Sequence, residues 1–120
     1  APNPLATWTC TTDGNDVFVN QACRRLLGVT STNEILAGKW ASHIHRGDRE
    51  GFLKSWHRFL RSSTARFRAQ VRWVRPNTGQ TITLAVRVQR TNANRYQGWL
   101  KEAFAELALT KLEEIAYDFR

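Results

Sequence analysis

Three histidines, two cysteines and a scatter of carboxylates are the side chains in this 120-residue chain that could ligate metal, bind haem or act as nucleophiles and bases. Cys10 and Cys23 have no CxxC or mixed Cys/His spacing, so they do not form a zinc or redox motif. One disulfide is open to them in principle, but buried free thiols in a reducing compartment are expected. His43 and His45 flank Ile44 and cannot share its facing, while His57 follows Trp56 on the polar side of a helix. Surface or capping roles are expected for all three, with haem ligation as the alternative. Asp48, Glu50, Glu102, Glu106, Glu113 and Glu114 fall on caps, strand ends or a solvated helix face, with no acid/base pair beside a nucleophile. No phosphate-cradling glycine loop is present. The sequence therefore predicts neither an enzyme nor a metal site, and it names no cofactor.

Arginine is the other chemically suggestive residue. The formal charge is +8, a balance that favours nucleic acid, anionic lipid or an acidic protein surface. Arg66, Arg68, Arg72 and Arg87 fall on the outer row of one hairpin, where they could neutralise phosphates. Sheet readers of single strands also need exposed aromatics on that face, and Phe67 and Trp73 point the other way. Docking of an acidic segment of a partner or of the parent protein is thus expected for this row, with nucleic acid as the alternative.

The elements that must position these groups are legible from periodicity. Arg66 to Trp73 alternates strictly, with Phe67, Ala69, Val71 and Trp73 on one face. Ile82, Leu84, Val86 and Val88 repeat the period after Pro76-Asn77-Thr78-Gly79, which gives a long antiparallel hairpin with one apolar face. A strand from Thr7 to Thr12, the turn Asp13-Gly14-Asn15-Asp16 and Val17-Phe18-Val19 form a first hairpin. Asn20 caps a short helix closed by Gly28. A second short helix begins at Thr32-Asn33-Glu34 and ends at Gly38, and Trp40 to His45 holds one further turn. Asp48 is expected to cap an amphipathic helix whose apolar positions are Phe52, Leu53, Trp56, Phe59 and Leu60, with Lys54, Arg58 and Arg61 outside. Tyr96 to Leu107 reads as a last strand, and residues 108–120 as a closing helix with Leu112, Ile115 and Phe119 on one stripe. The order predicts an α+β fold: a five-stranded antiparallel sheet with short helices and one longer helix on one face, plus the C-terminal helix.

Between helices and sheet, Ile35, Trp40, Ile44, Trp56, Phe67, Val71, Trp73, Leu84 and Val86 should meet. They would wall a pocket for an apolar or aromatic ligand or, being large, fill a plain core. A small cone-shaped isomerase or dehydratase is the enzyme alternative, and it would need an acid or His/Asp pair on inner rows that read as wholly apolar. No apolar run reaches bilayer length and no leader opens the chain, so a soluble, cytoplasmic protein is expected. Met is absent, so a domain cut from a longer protein is expected.

Taken together, Asp13-Gly14, Leu26-Leu27-Gly28, Glu34 to Trp40, His45-Arg46-Gly47-Asp48-Arg49, Trp56, Asn77-Thr78-Gly79 and Gly98-Trp99-Leu100 resemble a PAS domain with its C-terminal PAC segment. The order and spacing of these pieces, from about Trp8 to Leu107, carry the resemblance. It implies a sensory or interaction module in a signalling protein of the two-component or cyclic-di-GMP kind, linked to an effector such as a kinase or cyclase. The layout would be a linker at 1–6, the sensory domain at 7–107 and an output helix at 108–120. Homodimerisation is implied, with Glu106, Leu107, Leu112, Ile115 and Phe119 carrying the signal. The chain departs from the family at His45-Arg46-Gly47-Asp48-Arg49, where many relatives read His-Pro-Asp-Asp-Arg, and at Glu106-Leu107-Ala108, where many end in Asp-Ile-Thr. Cys23 lacks the flanking residues of the flavin-reactive motif of the light-sensing subgroup.

Overall fold

The computed structural model of the chain describes residues 5–12 and 17–103. Five strands, β1 (Ala6–Thr11), β2 (Val17–Val19), β3 (Arg66–Val74), β4 (Thr81–Asn92) and β5 (Arg95–Glu102), form one antiparallel sheet in the order β2-β1-β5-β4-β3. Two helices, α1 (Gln21–Leu27) and α2 (Arg46–Arg61), lie between β2 and β3 in the chain, with 3-10 turns at Thr32–Glu34 and Lys39–His43. The first strand enters the middle of the sheet beside the last, so the longest-range pairing, Ala6 to Leu100, closes the domain.

Local chemistry explains most boundaries. Asn20 sits in extended backbone, and its Oδ1 accepts from the Cys23 N–H at 2.8 Å, satisfying one orphan donor of α1. The same side chain accepts from Thr7 N–H and donates to Leu5 O, which ties helix to strand. Gly28 ends α1 at φ 69°, and a Cβ there would also collide with Asn77 and Arg75. Two carbonyls left over at the end of α1 are taken by side chains from β3 and its turn: Leu27 O by the Trp73 indole at 2.8 Å, and Leu26 O by Arg75 at 2.9 Å.

The predicted β3–β4 hairpin forms, with a register that runs from Arg66 opposite Gln89 to Val74 opposite Thr81. Val71, Trp73, Ile82, Leu84, Val86 and Val88 are all buried, and Arg66, Arg68, Arg72 and Arg87 all face out. The apolar rows meet α2 through Trp56 and Phe59, and α1 through Cys23 and Leu27. Burying each such side chain contributes about 1.5–3 kcal/mol.

Three expectations need correction. Asp48 does not cap α2: the cap is His45, whose Nδ1 accepts from Gly47 N–H at 3.0 Å, so the helix begins two residues before Asp48. Asp48 lies inside the first turn of the helix, and its carboxylate turns towards Arg72 on β3. The inner rows are not wholly apolar, because Arg90 pairs with Tyr96 and shares its face. Its guanidinium sits about 5 Å from the Phe59 and Tyr96 rings and donates to Phe59 O and Ser62 O, so the end of α2 neutralises it. The first strand also starts at Ala6, inside the stretch read as linker. The turn at 13–16, the Glu106-Leu107-Ala108 junction and the helix at 108–120 lie outside the described residues.

Candidate functional site

A cavity of about 330 Å³ lies between the helices and the inner face of the sheet. Every element contributes to it: Trp8 and Cys10 from β1, Val19 from β2, Cys23 and Leu27 from α1, Phe52, Trp56 and Leu60 from α2, and inner-row residues of β3, β4 and β5. Of the nine residues expected to meet there, Ile35, Trp40, Ile44, Trp56, Val71, Trp73, Leu84 and Val86 line it. Phe67 does not. It stacks instead beside Phe52, Trp56 and Phe59, with ring centroids 5.3–5.9 Å apart, nearer the open end of the sheet.

Trp56 is the hub of the wall. Its ring lies 6.2 Å from Trp8, 6.4 Å from Trp40 and 6.0 Å from Tyr96, in edge-on or tilted arrangements that suit aromatic quadrupoles. These rings hold one another apart, since an edge-on contact fixes a centroid spacing that flat aliphatic packing would close. Trp8 lies so close over Gly98 that a Cβ there would collide with the indole. Gly98 therefore lets a large ring lie flat on the sheet.

Among the described residues no charged side chain lines the cavity. The residues with polar side-chain atoms among its lining are Cys10, Cys23, Thr11, Thr12, Tyr96 and the tryptophans; the Trp73 indole N–H donates to Leu27 O and the Tyr96 hydroxyl accepts from Arg90. Burial pushes the Cys10 thiol up to about 11 and the Cys23 thiol to about 12, so both stay protonated near neutrality. Both cysteines are free. Exposed Thr12, Ala37 and Gly38 are among the lining, which puts the mouth between the start of the first turn and the Ala37-Gly38 turn. Ala37 has φ 56° and Gly38 φ 79°, a left-handed pair in which only the alanine is sterically disfavoured.

The histidines are engaged elsewhere. His43 Nε2–H donates to Glu34 O at 2.9 Å, His45 caps α2, and His57 is exposed on the outer side of α2. Among the described residues no group of three His, Cys, Asp or Glu could hold a metal ion.

Arg72 leaves the basic row. Asp48 accepts from its backbone N–H at 2.8 Å and from its guanidinium at 3.0 and 2.8 Å, and Arg72 O accepts from His45 N–H. Edge strand β3 is thereby fastened to the start of α2. The guanidinium holds the Asp48 carboxyl down at about 2.

The lining residues missed from the sequence include Trp8 and Cys10 of β1, Val19 of β2, Cys23 and Leu27 of α1, Phe52 and Leu60 of α2, and Tyr96 and Leu100 of β5. The alternation of Trp8 with Cys10, and of Tyr96 with Gly98 and Leu100, was the available signal. Their pairing across the middle of the sheet was not. Glu106, Leu107, Leu112, Ile115 and Phe119 lie outside the described residues.

This sheet order, with helices inserted between β2 and β3 over a central cavity, defines a PAS-type sensor. The model of the PAS-fold family matches residues 16–100, and the chain belongs to that family. Comparison with curated proteins finds no match. Among solved structures, the chain is similar to the N-terminal domain of a diguanylate cyclase with a PAS/PAC sensor from Marinobacter aquaeolei. The TM-score is 0.71 at 15% identity, over 86% of this chain and 98% of that one. It is also similar to a domain of a putative light- and redox-sensing histidine kinase from Haloarcula marismortui, with a TM-score of 0.64 at 17% identity, over 81% and 87%. An RNA-binding light-oxygen-voltage receptor aligns with 98% of this chain at a TM-score of 0.67 and 10% identity. This chain spans 32% of that receptor's length. At these identities the likeness concerns the fold. No helix among the described residues is long and apolar enough to cross a membrane.

Proposed function

We infer that this PAS domain is a non-catalytic cytoplasmic sensor that takes a small, uncharged, largely aromatic or apolar ligand into its tryptophan-walled cavity. The observation that carries this reading is the cavity itself: about 330 Å³ with no charged side chain among the described residues that line it, at the small end of the roughly 300–1,000 Å³ usual for small-molecule sites. An ionised ligand would lose its hydration there without a counter-charge. A planar one would meet ring faces and edges from Trp8, Trp40, Trp56 and Tyr96.

The signal passes from the inner sheet through Glu106 and Leu107 to the segment with Leu112, Ile115 and Phe119, and so to an effector such as a kinase or cyclase in the parent protein. The cyclase and kinase contexts of similar domains support this. The stripe on residues 108–120 suits pairing with the same segment of a second copy, making a homodimer.

Native mass spectrometry and absorption spectroscopy of the purified chain, followed by thermal-shift titration with indole and naphthalene, test the reading. An excess mass or a saturable rise in melting temperature, abolished by filling the cavity with Val86→Trp, is the expected result. A chain with no excess mass, and no response to any neutral aromatic probe, would overturn it.

A further inference from the structure

The face of the sheet turned away from the helices carries aromatic rings among its arginines, which the alternation of β3 and β4 alone does not reveal. Antiparallel register fixes which side chains share a face. Arg68 lies opposite Arg87, Arg87 opposite Trp99, and Trp99 opposite Thr7, so these four form one row across β3, β4, β5 and β1. The row on one side runs Gln70, Ala85, Lys101. The row on the other runs Arg66, Gln89, Gln97, Thr9 and Phe18, whose ring is 61% exposed.

Every side chain in these rows is neutral or cationic. The described carboxylates lie elsewhere: Glu34 in a 3-10 turn, Asp48 and Glu50 on α2, and Glu102 opposite Leu84 on the inner face. The guanidinium groups of Arg66, Arg68 and Arg87 make no ion pair or side-chain hydrogen bond among the described residues. A depression of about 600 Å³ runs over this face, bounded by Trp99, the three arginines and exposed Leu5.

We propose that this face binds single-stranded nucleic acid, with Trp99 and Phe18 as stacking platforms and Arg66, Arg68 and Arg87 on the phosphates. Neighbouring strands are about 4.8 Å apart, so Arg87 and Arg68 stand one and two strands from Trp99. They are placed for the phosphates flanking a base stacked on the indole. A duplex keeps its base faces covered and leaves the rings unused, so the strand is single. An acidic protein segment would answer the arginines but not the rings. A second copy of this carboxylate-free face would bring like charges together.

The test is anisotropy titration of the whole chain with labelled oligouridine and oligothymidine over a salt series. Either oligomer binding, with affinity falling as salt rises, supports the proposal, and the tighter of the two identifies RNA or DNA. Trp99→Ala should weaken binding roughly fivefold or more, with Trp99→Phe retaining most of it. The double variant Arg68→Glu, Arg87→Glu should abolish binding at moderate salt. Arg68→Gln with Arg87→Gln should lower the salt slope by about 1.4, or about 0.7 per lost phosphate contact. Arg68 and Arg87 are exposed and Trp99 is half-buried on this face, and circular dichroism checks that each variant is folded. Indifference to Trp99→Ala, equal affinity for duplex, or displacement by an acidic peptide or by phosphatidylserine vesicles at comparable charge would each overturn the proposal, as would no binding at all.

Discussion

Asp48 shows how much one carboxylate can do when a neighbour takes over its expected task. With His45 capping α2, Asp48 is left to grip both the main chain and the side chain of Arg72. The pairing lowers its folded pKa from 3.8 to about 2, so its contribution to stability is complete above about pH 4 and is lost as pH falls through 2. The gap in melting temperature between the native chain and Asp48→Asn should accordingly be constant near neutrality and close between pH 4 and 2. A gap that persists undiminished at pH 2 would assign the effect to something other than the charge. The cysteines work in the opposite direction. Their folded thiols ionise near 11 and 12 while unfolded ones ionise near 9, so they favour the folded state fully below pH 9 and progressively less above it. Urea midpoints of Cys10→Ala, Cys23→Ala should fall less steeply between pH 9 and 11 than those of the native chain. Gly98 is a steric case. Gly98→Ala drives a methyl group into Trp8, and overpacking of this kind costs about 1–3 kcal/mol, read by urea unfolding together with a shift in tryptophan emission.

At the scale of elements, the contacts that fix the fold run between chain-distant segments. Asn20 is a predicted cap, yet its amide also bonds the backbone of β1 at Thr7 and Leu5. Asn20→Ala should therefore cost about 1–2 kcal/mol, the upper part of the range for a simple cap, whereas Asn20→Asp should recover the cap but not the Leu5 bond. Hydrogen exchange at Thr7 and Cys23 would report both losses together. The carbonyl end of α1 is held by Trp73 and Arg75 from the far hairpin, and the end of α2 by Arg90 from β4. The Asn20 cap and the Gly28 stop of α1 could be read locally. The bonds that Trp73, Arg75 and Arg90 bring to the helix ends come from the sheet and could not.

For the molecule as a whole, the question is whether the interior is full. Five tryptophans suggested a packed core as readily as a cavity, because volume summed from sequence ignores how rings meet. The edge-on contacts of Trp56 with its neighbours leave the space that a list of large residues seems to deny. Leu100→Phe, which adds bulk towards that space, should change stability by less than about 1 kcal/mol, while the same change in a filled core would cost about 1–3 kcal/mol. Chemical denaturation distinguishes the two. The same variant should weaken any neutral aromatic probe that binds the native chain.

The sequence by itself determined the five strands, the helices α1 and α2 and the family, since each of these follows from local period, turn residues and motif order. It also placed eight of the nine expected residues around one interior, because alternation dictates which face of a strand is buried. Only the tertiary structure decided that β1 and β5 lie side by side in the middle of the sheet. That pairing brings Trp8, Cys10 and Tyr96 into the cavity and sets Trp99 beside Arg87 on the opposite face. Strand order depends on which distant edges find one another, and no pattern within a single strand records its neighbour.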